Sequence, residues 1–259
     1  MRLAILLQAK HDFDWNPSIQ HKIRGMIWNS IKETKFEELH GNSDIPTFTF
    51  SNIFPVKSNY TQNSIIQENQ KLMLLISSPH PGILDSTAAY INSRENVTIG
   101  NLSAKVDGVE SKNIDIGRDG SSGTLKTQTG LYIPVTEEDQ NEYNIKTEYN
   151  NSKLSWTPDH GMNIFREKIL QNSNWKTTTL DPTIDPIQNF NSLFDSIKIE
   201  TTFEAKVNVS SDYTYQFIPS VCKLNYTIHT QNQRKYLNTL IDTGLGWRNA
   251  LGFGFLNKI

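Results

Sequence analysis

Residues 71–92 read KLMLLISSPHPGILDSTAAYIN. The segment Lys71–Ser78 is apolar on both faces, which marks a strand covered on two sides and so central in its sheet. The segment from Pro81 to Asn92 places Leu84, Thr87, Ala88 and Ile91 on one helical face. A central strand followed by an amphipathic helix sets the frame for everything upstream and downstream.

Upstream, RLAILLQ (2–8) reads as a buried opening strand. NPSIQHKIRGMIWNSIKE (16–33) follows as a helix. Asn16 stands at its N-cap and Pro17 at its first helical position. Ile19, Ile23, Met26, Ile27 and Ile31 share one face. EELHGNSDIP leaves the helix through glycine and proline, and TFTFSNIFP is expected as a strand. Downstream of residue 92, NVTIGNLSAKV is expected to return as one strand. The order is β-α-β-β-α-β, the ferredoxin-like unit.

ESKNIDIGRDGSSG (110–123) is polar and glycine-rich, a candidate boundary or hairpin tip. Beyond it, TLKTQTGLYIPVT is expected as a strand, and residues 137–155 as a polar surface insertion. DHGMNIFREKILQNS is expected as a helix with Met162, Phe165, Ile169 and Leu170 inward. TFEAKVNVSS alternates, with Phe203, Ala205, Val207 and Val209 on one side. VCKLNYTIH also alternates, with Cys222, Leu224, Tyr226 and Ile228 inward. QNQRKYLNTLIDTG forms a helix on Tyr236, Leu237, Leu240 and Ile241, with Gly244 as its stop. The expected fold is α+β: two tandem ferredoxin-like (βαββαβ, RRM-like) domains, residues 1–112 and 113–259.

The 259 residues suit two domains of about 100–150 residues each. The single cysteine, Cys222, excludes a disulfide framework and a cysteine-rich zinc site. The apolar run in MRLAILLQAK is too short for a signal peptide. No stretch approaches the roughly 20 apolar residues of a membrane helix. A soluble cytoplasmic protein is expected, with no membrane partner. The net charge of −2 lacks the basic excess usual for nucleic-acid binders, so any such role rests on a local patch. Lys105, Lys112, Arg118 and Lys126 surround the middle glycine-rich segment and are candidates for one.

The chain ends DTGLGWRNALGFGFLNKI, with Gly244, Gly246, Gly252 and Gly254 among only 14 glycines in all. The spacing does not fit the dinucleotide fingerprint, and a P-loop lysine is absent. Two readings remain. One is a glycine helix stop before an ordinary strand. The other is close approach of another backbone, with N–H groups and Arg248 turned toward phosphate oxygens. Trp247 suits either a stacked base or the core.

GLGWRNALGFGF resembles the C-terminal glycine motif of the sixth CRISPR-associated (Cas) protein family, precursor CRISPR RNA-processing endoribonucleases of the RAMP superfamily. MRLAIL, IRGMIWNSI, LHGNSDIPTFTFSNI and HGMNIFREKILQNSNWK resemble other family stretches, in the same order. The resemblance implies two ferredoxin-like domains and metal-independent cleavage of CRISPR repeat RNA. The 2′-hydroxyl attacks the scissile phosphate, giving a 2′,3′-cyclic phosphate and a 5′-hydroxyl. It implies no cofactor and no metal site. His40 stands where the family's catalytic histidine lies, and imidazole suits acid–base work near neutral pH. Gly244, Gly246, Trp247, Arg248, Gly252, Gly254 and Lys126 are the implied RNA contacts. Lys35 and Lys57 are candidate charge partners for His40. Trp28 stands where many members carry a tyrosine, and an indole does no acid–base work. The implied partners are CRISPR repeat RNA, with other CRISPR-associated subunits and a second copy of the chain as candidates. The alternative reading is a repeat-RNA-binding subunit that does not cleave.

Overall fold

The computed structural model describes residues 1–14, 19–40, 47–56, 65–145, 154–208 and 214–259. Among these, the chain divides into two compact units. The first holds residues 1–114, 206–215 and 250–252. The second holds 115–205, 216–249 and 253–259. Asn16 and Pro17, the expected start of the first helix, lie outside the described residues, as does Val209.

The main sheet of the first unit is built from β1 (Arg2–Ala9), β2 (Thr49–Phe50), β3 (Phe54–Pro55), β4 (Lys71–Ser77), β5 (Asn96–Ile99) and β6 (Leu102–Lys112). The helices are α1 (Ile19–Ser30) and α2 (Pro81–Asn92). The sheet order is β2-β4-β1-β6-β5, with β3 also paired to β4, and every pair is antiparallel. Counting the TFTFSNIFP region as one strand and setting β5 aside, the order is 2-3-1-4, that of a ferredoxin-like unit. Leu3, Ile5 and Leu7 from β1 and Leu72, Leu74 and Ile76 from β4 bury one face of the sheet. Ile19, Ile23, Met26 and Ile27 of α1 and Ile83, Leu84 and Ile91 of α2 belong to the same core.

Two expectations are corrected here. TFTFSNIFP is not one strand: two short pieces pair with β4, and between them the Ser51 hydroxyl accepts from Leu75 N–H at 2.9 Å. NVTIGNLSAKV is a hairpin, because Gly100 takes a φ of 61° and folds the chain back at Asn101. The alternation changes phase at that turn, from Val97 and Ile99 inward to Leu102 and Ala104 inward, and the Gly-Asn pair marks it.

The second unit repeats the order with β7 (Ser122–Thr127), β8 (Ser196–Thr202), β9 (Ser220–Thr227) and β10 (Leu256–Lys258). Its sheet runs β8-β9-β7-β10, again antiparallel and again 2-3-1-4. Its helices are α3 (Glu137–Glu142), α4 (Met162–Leu180) and α5 (Gln231–Thr243). Cys222, Leu224 and Tyr226 of β9 are buried, and so are Tyr236, Leu237, Leu240 and Ile241 of α5. Residues 137–142 are a capped helix rather than a featureless insertion. Thr136 and Asp139 form a capping box, and Lys168 of α4 reaches Asp139 at 2.6 Å. Residues 146–153 lie outside the described residues.

α4 departs most from the expected pattern. Met162 and Leu170 are only half-buried. The inward face is Ile164, Phe165, Ile169, Asn172, Ser173, Lys176 and Thr177. Its second half therefore turns polar side chains into the interior, where apolar periodicity has nothing to register.

Leu74 is fully buried in β4 between two paired strands. Leu74→Ala is expected to cost about 2–5 kcal/mol of stability, read by denaturant titration.

Candidate functional site

The glycine-rich segment begins as α5 ends. Gly244 caps the helix at φ 80°, and its N–H donates to Leu240 O at 2.8 Å. The chain then lies against residues 128–132. Trp247 N–H donates to Tyr132 O at 3.0 Å, Gly254 N–H to Gly130 O at 2.7 Å, and Gln128 N–H to Phe255 O at 2.9 Å. The loop also closes on itself, since Leu245 N–H donates to Gly254 O at 2.9 Å.

These contacts explain two of the glycines. A Cβ on Gly254 would lie 1.8 Å from Leu245 O, and one on Gly246 would lie 2.7 Å from Tyr132 O. Both are close approaches of backbone to backbone that no side chain permits. The approaching backbone belongs to this chain, so packing alone requires these two glycines. Gly244, Gly246, Gly252 and Gly254 are all buried.

What the loop presents outward is Arg248, exposed, with Trp247 and Asn249 half-buried on either side. Arg248 has a φ of 59°, the left-handed region that costs an ordinary residue about 1–2 kcal/mol. Such local strain persists only where surroundings over-determine it, and it concentrates at functional sites. Burial pushes the Tyr132 phenol up, and the Arg248 guanidinium works against that. The Tyr132 ring itself packs on Phe217 at 4.9 Å and Phe253 at 6.2 Å between centroids.

Beneath the loop sits a residue that the sequence reading missed. Lys176 of α4 is 2% exposed. Its Nζ donates to Gly244 O at 2.8 Å, Gly246 O at 2.6 Å and Asn249 Oδ1 at 2.7 Å. Asn249 Nδ2 in turn donates to Leu245 O at 3.1 Å and Phe253 O at 2.9 Å. Burial draws the Lys176 ammonium well below its ordinary value. Three acceptors with no donor among them oppose this and match the three N–H groups of the charged form. A signal was available: Lys176 follows Ile169, Asn172 and Ser173 at helical spacing, a cation on an inward stripe.

In the first unit His40 is exposed and follows the short 3₁₀ turn Glu37–Leu39. Its N–H donates to Glu37 O at 2.9 Å, and its backbone is extended at φ −68°, ψ 119°. The Trp28 ring meets the imidazole edge to face, 4.6 Å between centroids at 88°. Trp28 continues to Phe48 at 5.1 Å, and Phe48 to Phe50 at 6.3 Å. A Cβ on Gly252, which this unit includes, would lie 2.6 Å from the Phe50 ring. His40 and Gly252 thus stand at the two ends of one row of aromatic contacts. The Trp28 Nε1 is buried and has no hydrogen-bond acceptor among the described residues.

The other candidates are dispersed. Lys35 is exposed, with Nζ 5.3 Å from the Phe36 ring centroid. Lys57 lies outside the described residues. Lys126 of β7 pairs with Glu200 of β8 at 2.7 Å, and Lys223 of β9 shares that carboxylate at 2.8 Å. The two ammonium groups hold the Glu200 carboxyl down at about 2. Lys112 pairs with Glu110 at 3.6 Å, and Lys105 and Arg118 are exposed. His160 closes a cap, its Nδ1 accepting from Thr157 N–H at 3.1 Å. His21 is half-buried, and burial, then Arg24 and Lys22, lower its pKa. Among the described residues no three His, Cys, Asp or Glu side chains gather as a metal site would require. Among them, too, no helix is long and apolar enough to cross a membrane.

Two antiparallel sheets of 2-3-1-4 order, the second followed by a glycine-rich loop with an arginine at its tip, define the class as tandem ferredoxin-like proteins. The family model for the C-terminal part of the CRISPR-associated protein Cas6 matches residues 117–258, more than half of the chain, and the protein belongs to that family. It is 29% identical to the CRISPR-associated endoribonuclease Cas6 of Haloferax mediterranei, over 100% of this chain and 94% of that one. It is 26% identical to the CRISPR-associated endoribonuclease Cas6 2 of Methanocaldococcus jannaschii, over 100% of both. A solved CRISPR-associated protein Cas6 superposes with a TM-score of 0.71 at 19% identity, covering 100% of this chain and 99% of that one. A RAMP protein described as binding different RNA substrates gives 0.71 at 17%, with the same coverage.

Two substitutions separate the loop's packing from its outward chemistry. Gly254→Ala is expected to destabilise the protein by roughly 3 kcal/mol or more, from left-handed strain plus the clash with Leu245 O. Arg248→Gly relieves the backbone strain and is expected to leave stability unchanged or raise it by up to about 1 kcal/mol. Urea denaturation of both chains measures the pair.

Proposed function

We propose that this protein is an endoribonuclease that matures CRISPR RNA by cutting the repeat without a metal ion. Family membership and two full-length relatives named as endoribonucleases support the general activity. The observation that carries the residue-level reading is His40. It is an exposed imidazole braced on Trp28, at the position the motif resemblance assigns to the catalytic histidine.

The reaction needs no group beyond the RNA and protein side chains. A neutral imidazole takes the proton of the 2′-hydroxyl as its oxygen bonds to phosphorus. The bond from phosphorus to the 5′-oxygen breaks, and that oxygen is protonated as it leaves. The products are a 2′,3′-cyclic phosphate and a 5′-hydroxyl. Positive charge near the phosphorane lowers the barrier further. Arg248 is the loop's outward cation and contacts the RNA backbone. Trp247, half-buried, offers a ring edge for a base. The buried glycines act by shaping the loop, and Lys126 contributes only what Glu200 leaves of its charge.

One observation favours a second reading, a repeat-RNA-binding subunit that does not cleave. The ring braced against His40 is an indole, which supplies no acid or base.

Incubation with RNA of the host's own CRISPR repeat in EDTA decides between them. Cleavage is expected, with a 2′,3′-cyclic phosphate end. His40→Ala is expected to slow it by about 10²–10⁴-fold. A 2′-deoxy substitution upstream of the cut should abolish it. Intact RNA recovered from a tight complex selects the second reading, and cleavage unchanged in His40→Ala overturns the role of that residue.

A further inference from the structure

Among the described residues Lys176 is an ion with no ion-pair partner to justify its burial. Among the described residues no carboxylate pairs with it, and all three of its partners are neutral oxygens of one loop. An uncompensated buried ammonium is costly, and an apolar side chain of similar volume would avoid that cost. What the apolar residue could not do is replace its hydrogen bonds: Gly246 O would lose its donor, and Gly244 O would keep only the Thr243 hydroxyl at 3.3 Å. Asn249 completes the arrangement. Its Oδ1 is the third acceptor, and its amide nitrogen holds Leu245 O and Phe253 O. The lysine and the asparagine together hold backbone on both sides of Arg248.

We propose that Lys176, acting with Asn249, is a positioning residue for RNA binding. It clamps the glycine-rich loop from inside, so that Arg248 is held in its left-handed conformation facing outward. The ammonium touches no RNA. It fixes the backbone that carries the contacting side chain. The proposal rests on the reading above that the loop meets RNA.

The test uses the full chain and a fluorescently labelled synthetic RNA of the host's CRISPR repeat. Lys176→Met keeps length and removes the three N–H groups. RNA affinity is expected to fall by about tenfold or more. Hydrogen exchange of amides 245–254 should accelerate by about the same factor, with exchange in β1 and β4 unchanged. Arg248→Ala should weaken RNA binding in the native chain and have much less effect in Lys176→Met. A merely structural role for Lys176 predicts equal effects of Arg248→Ala in both chains, and that result overturns the proposal. So do unchanged loop exchange and affinity in Lys176→Met. If Lys176→Met does not fold, Asn249→Ala, which leaves the lysine and two of its acceptors, carries the same expectations and the same overturning results. Arg248→Ala that binds RNA like the native chain removes the loop from the RNA interface, ending both readings. A full response to Arg248→Ala with none to Lys176→Met or Asn249→Ala ends this one alone.

Discussion

The carbonyl oxygen of Leu245 occupies the space in which a side chain on residue 254 would begin. This contact between two backbones is the constraint around which the second unit closes. It requires glycine at 254. It brings the segment after α5 onto residues 128–132, which follow β7, and β10 enters the sheet beside β7. The loop and the last strand both bond to residues 127–132, through Trp247, Gly254, Phe255 and Leu256, so a shift of one strains the other.

Closure of this kind turns carbonyl groups inward, and they need donors. Lys176 and Asn249 supply five hydrogen bonds to the loop's interior. The segment quoted for its glycines is therefore better understood as a cage around an ammonium group, with one cationic side chain left outside. In the first unit the parallel role is played by aromatic rings, which run from His40 through Trp28, Phe48 and Phe50 to Gly252.

The strand and helix order was legible because apolar residues dominate the faces of β1, β4, α1, β9 and α5, and period reports burial directly. The two ferredoxin-like orders followed from it. The Gly100 turn was missed although the sequence marks it: Gly100-Asn101 is a hairpin dipeptide, and the inward positions shift from Val97 and Ile99 to Leu102 and Ala104. The inner face of α4 was hidden because Asn172, Ser173, Lys176 and Thr177 are polar yet buried, so apolar periodicity does not register them. The motif directed attention to the loop's glycines, but the residue that binds their carbonyls lies 68 positions away from Gly244. Spacing cannot show such a pairing. Lys126 shows the same limit on charge: its neutralising partner, Glu200, comes from another strand of the sheet.

The hairpin at Gly100 adds β5 to the rim of the first sheet. This rim strand is four residues long, with Asn96 and Thr98 turned to water and Val97 and Ile99 inward. A second molecule seeking to zip onto that border finds few free backbone groups, flanked by the polar side chains of Asn96 and Thr98. Extension of the sheet from one copy to the next is disfavoured there, so a crowded solution of this protein is guarded at that margin against fibrous stacking.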